Sequence, residues 1–270
     1  LDEELETAWR APADTPAYRK GSLAARPRRQ TATPDSATAN SDSNVTQPSF
    51  SEAAEPSRIA AATIQAALVA AAQAIEENVT ELGRLDAVAG DGDHGIGMAR
   101  GVAAATEAAE AALGAGAGAG GLLKAAGDAW ALKAGGTSGA LWGVVLRGIG
   151  QTLGDIQMPD AVQVAAAVTQ ASRDVATFGK AQVGDKTMLD ALVPFAATLE
   201  REARAGARLT EAWARAAEVA RQAAESTAGL TPRIGRARPH AAKSVGTPDP
   251  GAISLAIIVG AVATVLGSDK

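Results

Sequence analysis

The chain has 270 residues, 47% of them apolar and 20% charged, which is enough to bury a sizeable core and excludes a structureless polymer. Its formal net charge is −5, with basic residues clustered only near residue 20, so a nucleic-acid backbone is excluded as the natural partner. It has no cysteine, which rules out disulfides, thiolate metal sites and cysteine nucleophiles, fits a reducing cytoplasm, and leaves oxygen and nitrogen as the metal ligands.

The chain starts at Leu1, with no basic-then-apolar leader pattern in "LDEELETAWRAPADTP", and reads as a fragment or a processed form. Residues 1–18 place Leu1, Leu5 and Trp9 at helical spacing and then turn Pro-rich. Residues 19–57 are rich in Ser, Thr, Pro, Ala and Asp and nearly free of large apolar side chains, so burial cannot offset their ordering entropy; they read as a disordered linker. From Arg58 the chain becomes Ala-rich, with apolar residues three and four apart, and Ser57 is the expected N-cap of the first helix. Further helices are expected near 97–113, 121–133, 138–152, 159–177, 187–204, 209–228 and 251–266, giving an all-α domain over 58–270. The last of these, "GAISLAIIVGAVATVL", is shorter than the roughly 20 residues a bilayer span needs and reads as a core helix, so no membrane partner is expected.

Glycine-containing islands punctuate the helices. In "LDAVAGDGDHGIGMARG", residues 85–101, a helix would send Asp91 away from Asp86 and Asp93, but the glycines release that constraint. A loop can turn the three carboxylates to one point, where their repulsion is costly unless a cation sits among them. Oxygen-only donors suit magnesium, and a polyphosphate approaches such a cluster only with divalent ions between. His94 beside the cluster is a candidate phosphate contact. "AGGTSGALWG", residues 134–143, enters a helix near residue 138, and the free N–H groups there, around Thr137 and Ser138, suit an anion such as phosphate. Three familiar patterns fail. "GAGAGG" at 116–121 follows a helix instead of a strand and reads as a flexible loop. "GDKT" at 184–187 has Asp185 where a P-loop requires Gly. An EF-hand started at Asp91 reaches Val102 where its bidentate Glu belongs.

The ordered set "LDAVAGDGDHGIGMARG", "GGTSGALWG", "GDKTMLDAL" and "GRA" followed by "KSVGTPDPGA" resembles the L-type, nucleotide-binding domain of dihydroxyacetone kinases over about residues 58–268. The resemblance implies an antiparallel barrel of eight helices that binds ATP or ADP at one end through two Mg²⁺ ions. By position it implies Asp86, Asp91 and Asp93 as metal ligands and His94 as a phosphate-side contact. It also implies Thr137 and Ser138 as the phosphate loop, and Leu141, Thr187, Met188 and the Gly235–Arg236 turn, with Asp249 and Gly251, around the nucleotide. Residues 1–18 resemble the tail of the family's K-type sugar-binding domain, which would make that domain a partner fused upstream or separate, with homodimers formed through it. The chain departs from the family pattern at Arg238, Pro239 and His240.

The expectation is therefore the nucleotide domain of an ATP-dependent kinase of small ketoses or trioses, moving the γ-phosphoryl to a primary hydroxyl held by the other domain. In the family that acceptor sits on a histidine of the K-type domain, so no catalytic residue is assigned within this chain. The alternatives are the ADP-retaining subunit of a phosphotransferase-linked kinase and a nucleotide-binding module without catalysis.

Overall fold

The computed structural model describes residues 14–15, 18–19, 53–235 and 237–268. Its contacts separate two units, residues 1–46 and 47–270. In the first, β1 (Asp14–Thr15) and β2 (Tyr18–Arg19) pair antiparallel, Asp14 opposite Arg19. The remainder of the expected tail 1–18, and residues 20–52 of the expected linker, lie outside the described residues, whereas the linker's expected end, residues 55–57, belongs to the first helix.

The second unit is all-α. Its long helices are α1 (Glu55–Asp86), α2 (His94–Gly114), α3 (Ala119–Ala134), α4 (Gly136–Leu153), α5 (Ala161–Gly179), α6 (Leu189–Arg204), α7 (Leu209–Ser226) and α8 (Pro250–Ser268). Each packs on its neighbours in sequence, and α8 packs on both α7 and α1, so the ring closes into an antiparallel eight-helix barrel. Short connections force the antiparallel order; the longest, between α7 and α8, carries the 3-10 turns Thr227–Gly229 and Arg238–His240 and one helical turn, Ala241–Ser244.

Alanine and glycine let these helices come close. A Cβ on Gly150 would lie 2.8 Å from the Gly120 carbonyl oxygen and 2.9 Å from Leu123 Cβ, so α3 and α4 meet backbone to backbone. The space left is filled by aromatic rings: Trp130 stacks on Trp142 at 4.8 Å, and Phe195 meets Trp213 edge-on at 5.0 Å. Trp213 Nε1 donates to the Val259 carbonyl, fastening α7 to α8.

Helix α8 is 19 residues long, a few more than expected. It and α1 are each long and apolar enough to cross a membrane. In the barrel α8 buries Ala252, Leu255, Ile258 and Val259 among the other helices.

Two local expectations are corrected. Helix α1 starts at Glu55, behind Ala54 as N-cap, and Ser57 is fully buried inside its first turn. The Ser57 hydroxyl instead accepts from Ala119 N–H at 2.9 Å, capping α3 across the barrel, while Asp155 Oδ1 accepts from Gly121 N–H. Consequently the second half of "GAGAGG" is the start of α3 and not a loop.

Candidate functional site

One end of the barrel opens into a cavity of about 300 Å³. It is walled by the α1–α2 loop, the N-termini of α2, α4 and α8, the α5–α6 loop and part of the segment before α8. Asp86, Asp93, His94, Thr137, Ser138, Leu141, Thr187, Met188, Gly235, Asp249 and Gly251, all expected in the site, line it. Arg236 lies outside the described residues.

Asp86 is the last residue of α1, Asp93 stands at the N-cap position of α2, and Asp91 lies in the loop between them. One carboxylate oxygen from each of the three falls within 4.8 Å of the others. The loop is folded by its own backbone: Gly92, at φ 77°, donates its N–H to Asp86 Oδ2 at 2.9 Å. Gly90 has no room for a side chain, because a Cβ there would lie 2.4 Å from Asp86 Oδ1. At Gly95 a Cβ would lie 2.1 Å from the Val79 carbonyl oxygen, so the start of α2 rests directly on α1.

These residues fit magnesium. Oxygens around an octahedral ion at about 2.1 Å stand about 3–4 Å apart, so small side-chain rotations would bring this cluster to the ion. The donors are hard carboxylates with no sulfur or imidazole among them.

The α4 entrance faces the same cavity. Gly135 and Gly136 have φ of 70° and 59°, no side chain caps the helix, and the first intrahelical bond is from Gly139 N–H. The N–H groups of Gly136, Thr137 and Ser138 precede it, which is the arrangement that binds anions. Across the cavity, Asp190 ties the α5–α6 loop, accepting from Gly184 N–H at 2.6 Å and Thr187 N–H at 2.8 Å. That loop presents Thr187 and Met188 to the cavity, with Met188 packed over Gly251.

His94 lines the cavity and also bridges two helices. Its Nε2 lies 3.0 Å from Ser254 Oγ, joining α2 to α8, and the Ser254 hydroxyl also reaches the Gly251 carbonyl oxygen. Burial pushes the imidazole pKa down, opposed by the Asp86 charge and by a hydrogen bond to the Pro250 backbone. Asp249 caps α8, its Oδ2 accepting from Ala252 N–H at 2.8 Å. The residue is half-buried in the cavity wall. Desolvation pushes its pKa up to about 7, reinforced by Asp190 and opposed by the Ala252 and Gly251 N–H groups and by Lys186.

Among the lining residues that were not expected, Trp142 and Lys186 stand out. Trp142 follows Leu141 and backs the cavity from the aromatic stack. Lys186, in "GDKT", is buried, and its Nζ donates to the Ser244 and Leu230 carbonyl oxygens at 2.7 and 3.1 Å. Lys186 sits in a polar stretch with Gln182, Asp185 and Thr187, so its burial has no signal in the sequence.

The comparisons with known proteins concern the family and the fold. Residues 88–264 match the family described as the DAK2 domain. The chain is 54% identical over 269 residues to an L-erythrulose kinase of Pectobacterium atrosepticum, covering all of this chain and 44% of that protein. It is 51% identical to a D-erythrulose kinase of Mycolicibacterium smegmatis, over 97% of this chain and 45% of that protein, so it spans less than half the length of these relatives. It is 32% identical to the ADP-binding subunit DhaL of a PEP-dependent dihydroxyacetone kinase of Listeria innocua, covering 68% of this chain and 86% of that one. Among solved structures, the C. freundii dihydroxyacetone kinase in complex with AMP-PNP and Mg²⁺ shares the fold, with TM-score 0.57 and 23% identity over 88% of this chain and 38% of that one. By the extent of the family match and of the relatives that cover the whole chain, this protein belongs to the DAK2 domain family, the L-type domain of dihydroxyacetone kinases.

Proposed function

We propose that the chain is the nucleotide-binding domain of an ATP-dependent kinase of small ketoses. The observation that carries this reading is the three-carboxylate cluster of Asp86, Asp91 and Asp93 at the mouth of a cavity bordered by uncapped helix N–H groups. Acid for metal and N–H groups for phosphate then face one space of about 300 Å³. Magnesium, two ions by the family pattern, supplies neutralisation of the phosphate charge when bound. The chain's own residues do the rest. Asp86, Asp91 and Asp93 hold the metals, and Gly136, Thr137 and Ser138 receive phosphate oxygens. Leu141, Thr187, Met188, Gly235 and Gly251 shape the nucleoside pocket, and Arg236 is assigned to it by its place in the sequence pattern. His94 and Asp249 fix the α2 and α8 entrances that frame it. Catalysis of phosphoryl transfer is mainly positioning and charge neutralisation, which matches a site built of carboxylates and helix N–H groups.

The acceptor's primary hydroxyl is held by a separate K-type sugar-binding domain, of which residues 1–18 are the tail, with the linker from residue 19 ending before α1 at Glu55. The match of nearly all of this chain to two erythrulose kinases favours a four-carbon ketose, or the related triose, and favours the fused ATP-dependent arrangement over an ADP-retaining subunit, whose match is shorter. The reading places the protein in the cytoplasm. Calorimetry with ADP tests it: binding that requires Mg²⁺ and is abolished by EDTA is expected, and equal affinity with and without Mg²⁺ would remove the cluster from the metal site.

A further inference from the structure

The segment between α7 and α8 leaves the barrel at Leu230 and returns at Ser244, and in between it supplies Ile234, Gly235 and Ala237 to the cavity wall. Arg233 N–H donates to the Asp185 carbonyl at 3.2 Å, and beyond the loop Gly246 N–H reaches the Ala228 carbonyl at 2.8 Å. The two ends of the loop share one partner, the Lys186 ammonium, which donates to both the Leu230 and the Ser244 carbonyl oxygens.

The backbone at Lys186 makes this contact informative. Its φ is 62°, in the left-handed region that glycine adopts freely and a side chain does not. A turn alone would be better served by glycine there. Lys186 is also only 4% exposed, so a long cationic chain is held in an unfavourable backbone conformation and a poorly solvated place. What that arrangement supplies is a donor with several protons, the only kind of group that can hold two carbonyls with one nitrogen.

We infer that Lys186 is a positioning residue that cinches the loop 231–243 against the cavity, so that the lifetime of a bound nucleotide depends on it. The inference rests on the proposed function for the nucleotide and on geometry alone for the cinch. Lys186→Met keeps the stem and removes the donors; Lys186→Gly removes both and relaxes the backbone; Lys186→Arg keeps charge and donors. Hydrogen exchange of the loop is compared with that of α3, and dissociation of a fluorescent MgADP analogue is followed by stopped flow. With Met and with Gly, loop exchange and MgADP dissociation are expected to accelerate at least about tenfold while α3 stays protected, the loss of two charge-assisted hydrogen bonds being ample for this. Arg is expected to restore most of both. Unchanged loop exchange in the Met and Gly variants would overturn the inference, as would loss of protection throughout the barrel in both, which would make Lys186 a general stability residue. If the unaltered protein binds no MgADP, the proposed function fails, and loop exchange still decides whether Lys186 holds the loop.

Discussion

Replacing Asp93 by Asn is expected to remove most of the stabilisation that magnesium nucleotide confers. Asp93 contributes one of three carboxylate oxygens that lie within 4.8 Å of one another, and without its charge a bound metal loses one of its three counter-charges. With MgADP at a hundred times its Kd, the unaltered protein gains about 2.7 kcal/mol. A hundredfold weaker affinity in the variant leaves about 0.4 kcal/mol at the same concentration. The difference of about 2.3 kcal/mol lowers the MgADP-induced rise in Tm by about 5–9 °C in a domain of this size. Differential scanning fluorimetry of both proteins in EDTA and in MgADP reads the rise for each. A variant that keeps the full MgADP shift would refute the reasoning.

Further outcomes follow from other parts of the barrel. The Asp249 carboxyl has a pKa of about 7 in the folded chain against an ordinary 3.8, so its contribution is fully present below about pH 4 and is lost as pH rises through 7. That loss is at most about 4 kcal/mol, and Asp249→Asn should flatten it in urea melts taken from pH 4 to 8. Ser57→Ala leaves α1 helical but uncaps α3, costing about 1–2 kcal/mol in urea unfolding; an unchanged midpoint would mean that the Ala119 N–H finds another partner. Gly150→Ala and Gly95→Ala both force backbones apart and should each cost about 1–3 kcal/mol. Only Gly95→Ala, beside Asp93 and His94, should also weaken MgADP binding by the folded protein in calorimetry.

The barrel was largely legible because its signals are local and repeated. Apolar spacing marks α1 to α8, and glycine-rich islands mark the joints that become the site. The acidic loop was legible for the same reason, since Asp86, Asp91 and Asp93 lie close in sequence and their glycines forbid a helix. Contacts that span the chain were not. Ser57 has the residue type of an N-cap, but only the closed barrel brings Ala119 to it. His94 meets Ser254 across 160 residues, a pairing no spacing announces. Lys186 was hidden because its partners are backbone carbonyls at Leu230 and Ser244, which have no sequence signature.

The central claim is that this domain delivers the γ-phosphoryl of MgATP to an acceptor it does not itself hold. A coupled ADP-release assay measures this directly, using the purified chain with erythrulose or dihydroxyacetone, first alone and then with a K-type sugar-binding domain added. MgATP binding without turnover by the chain alone, and acceptor-dependent ADP release once the second domain is present, is the predicted result. Acceptor-dependent turnover by residues 1–270 alone, or none with the second domain supplied, would contradict it.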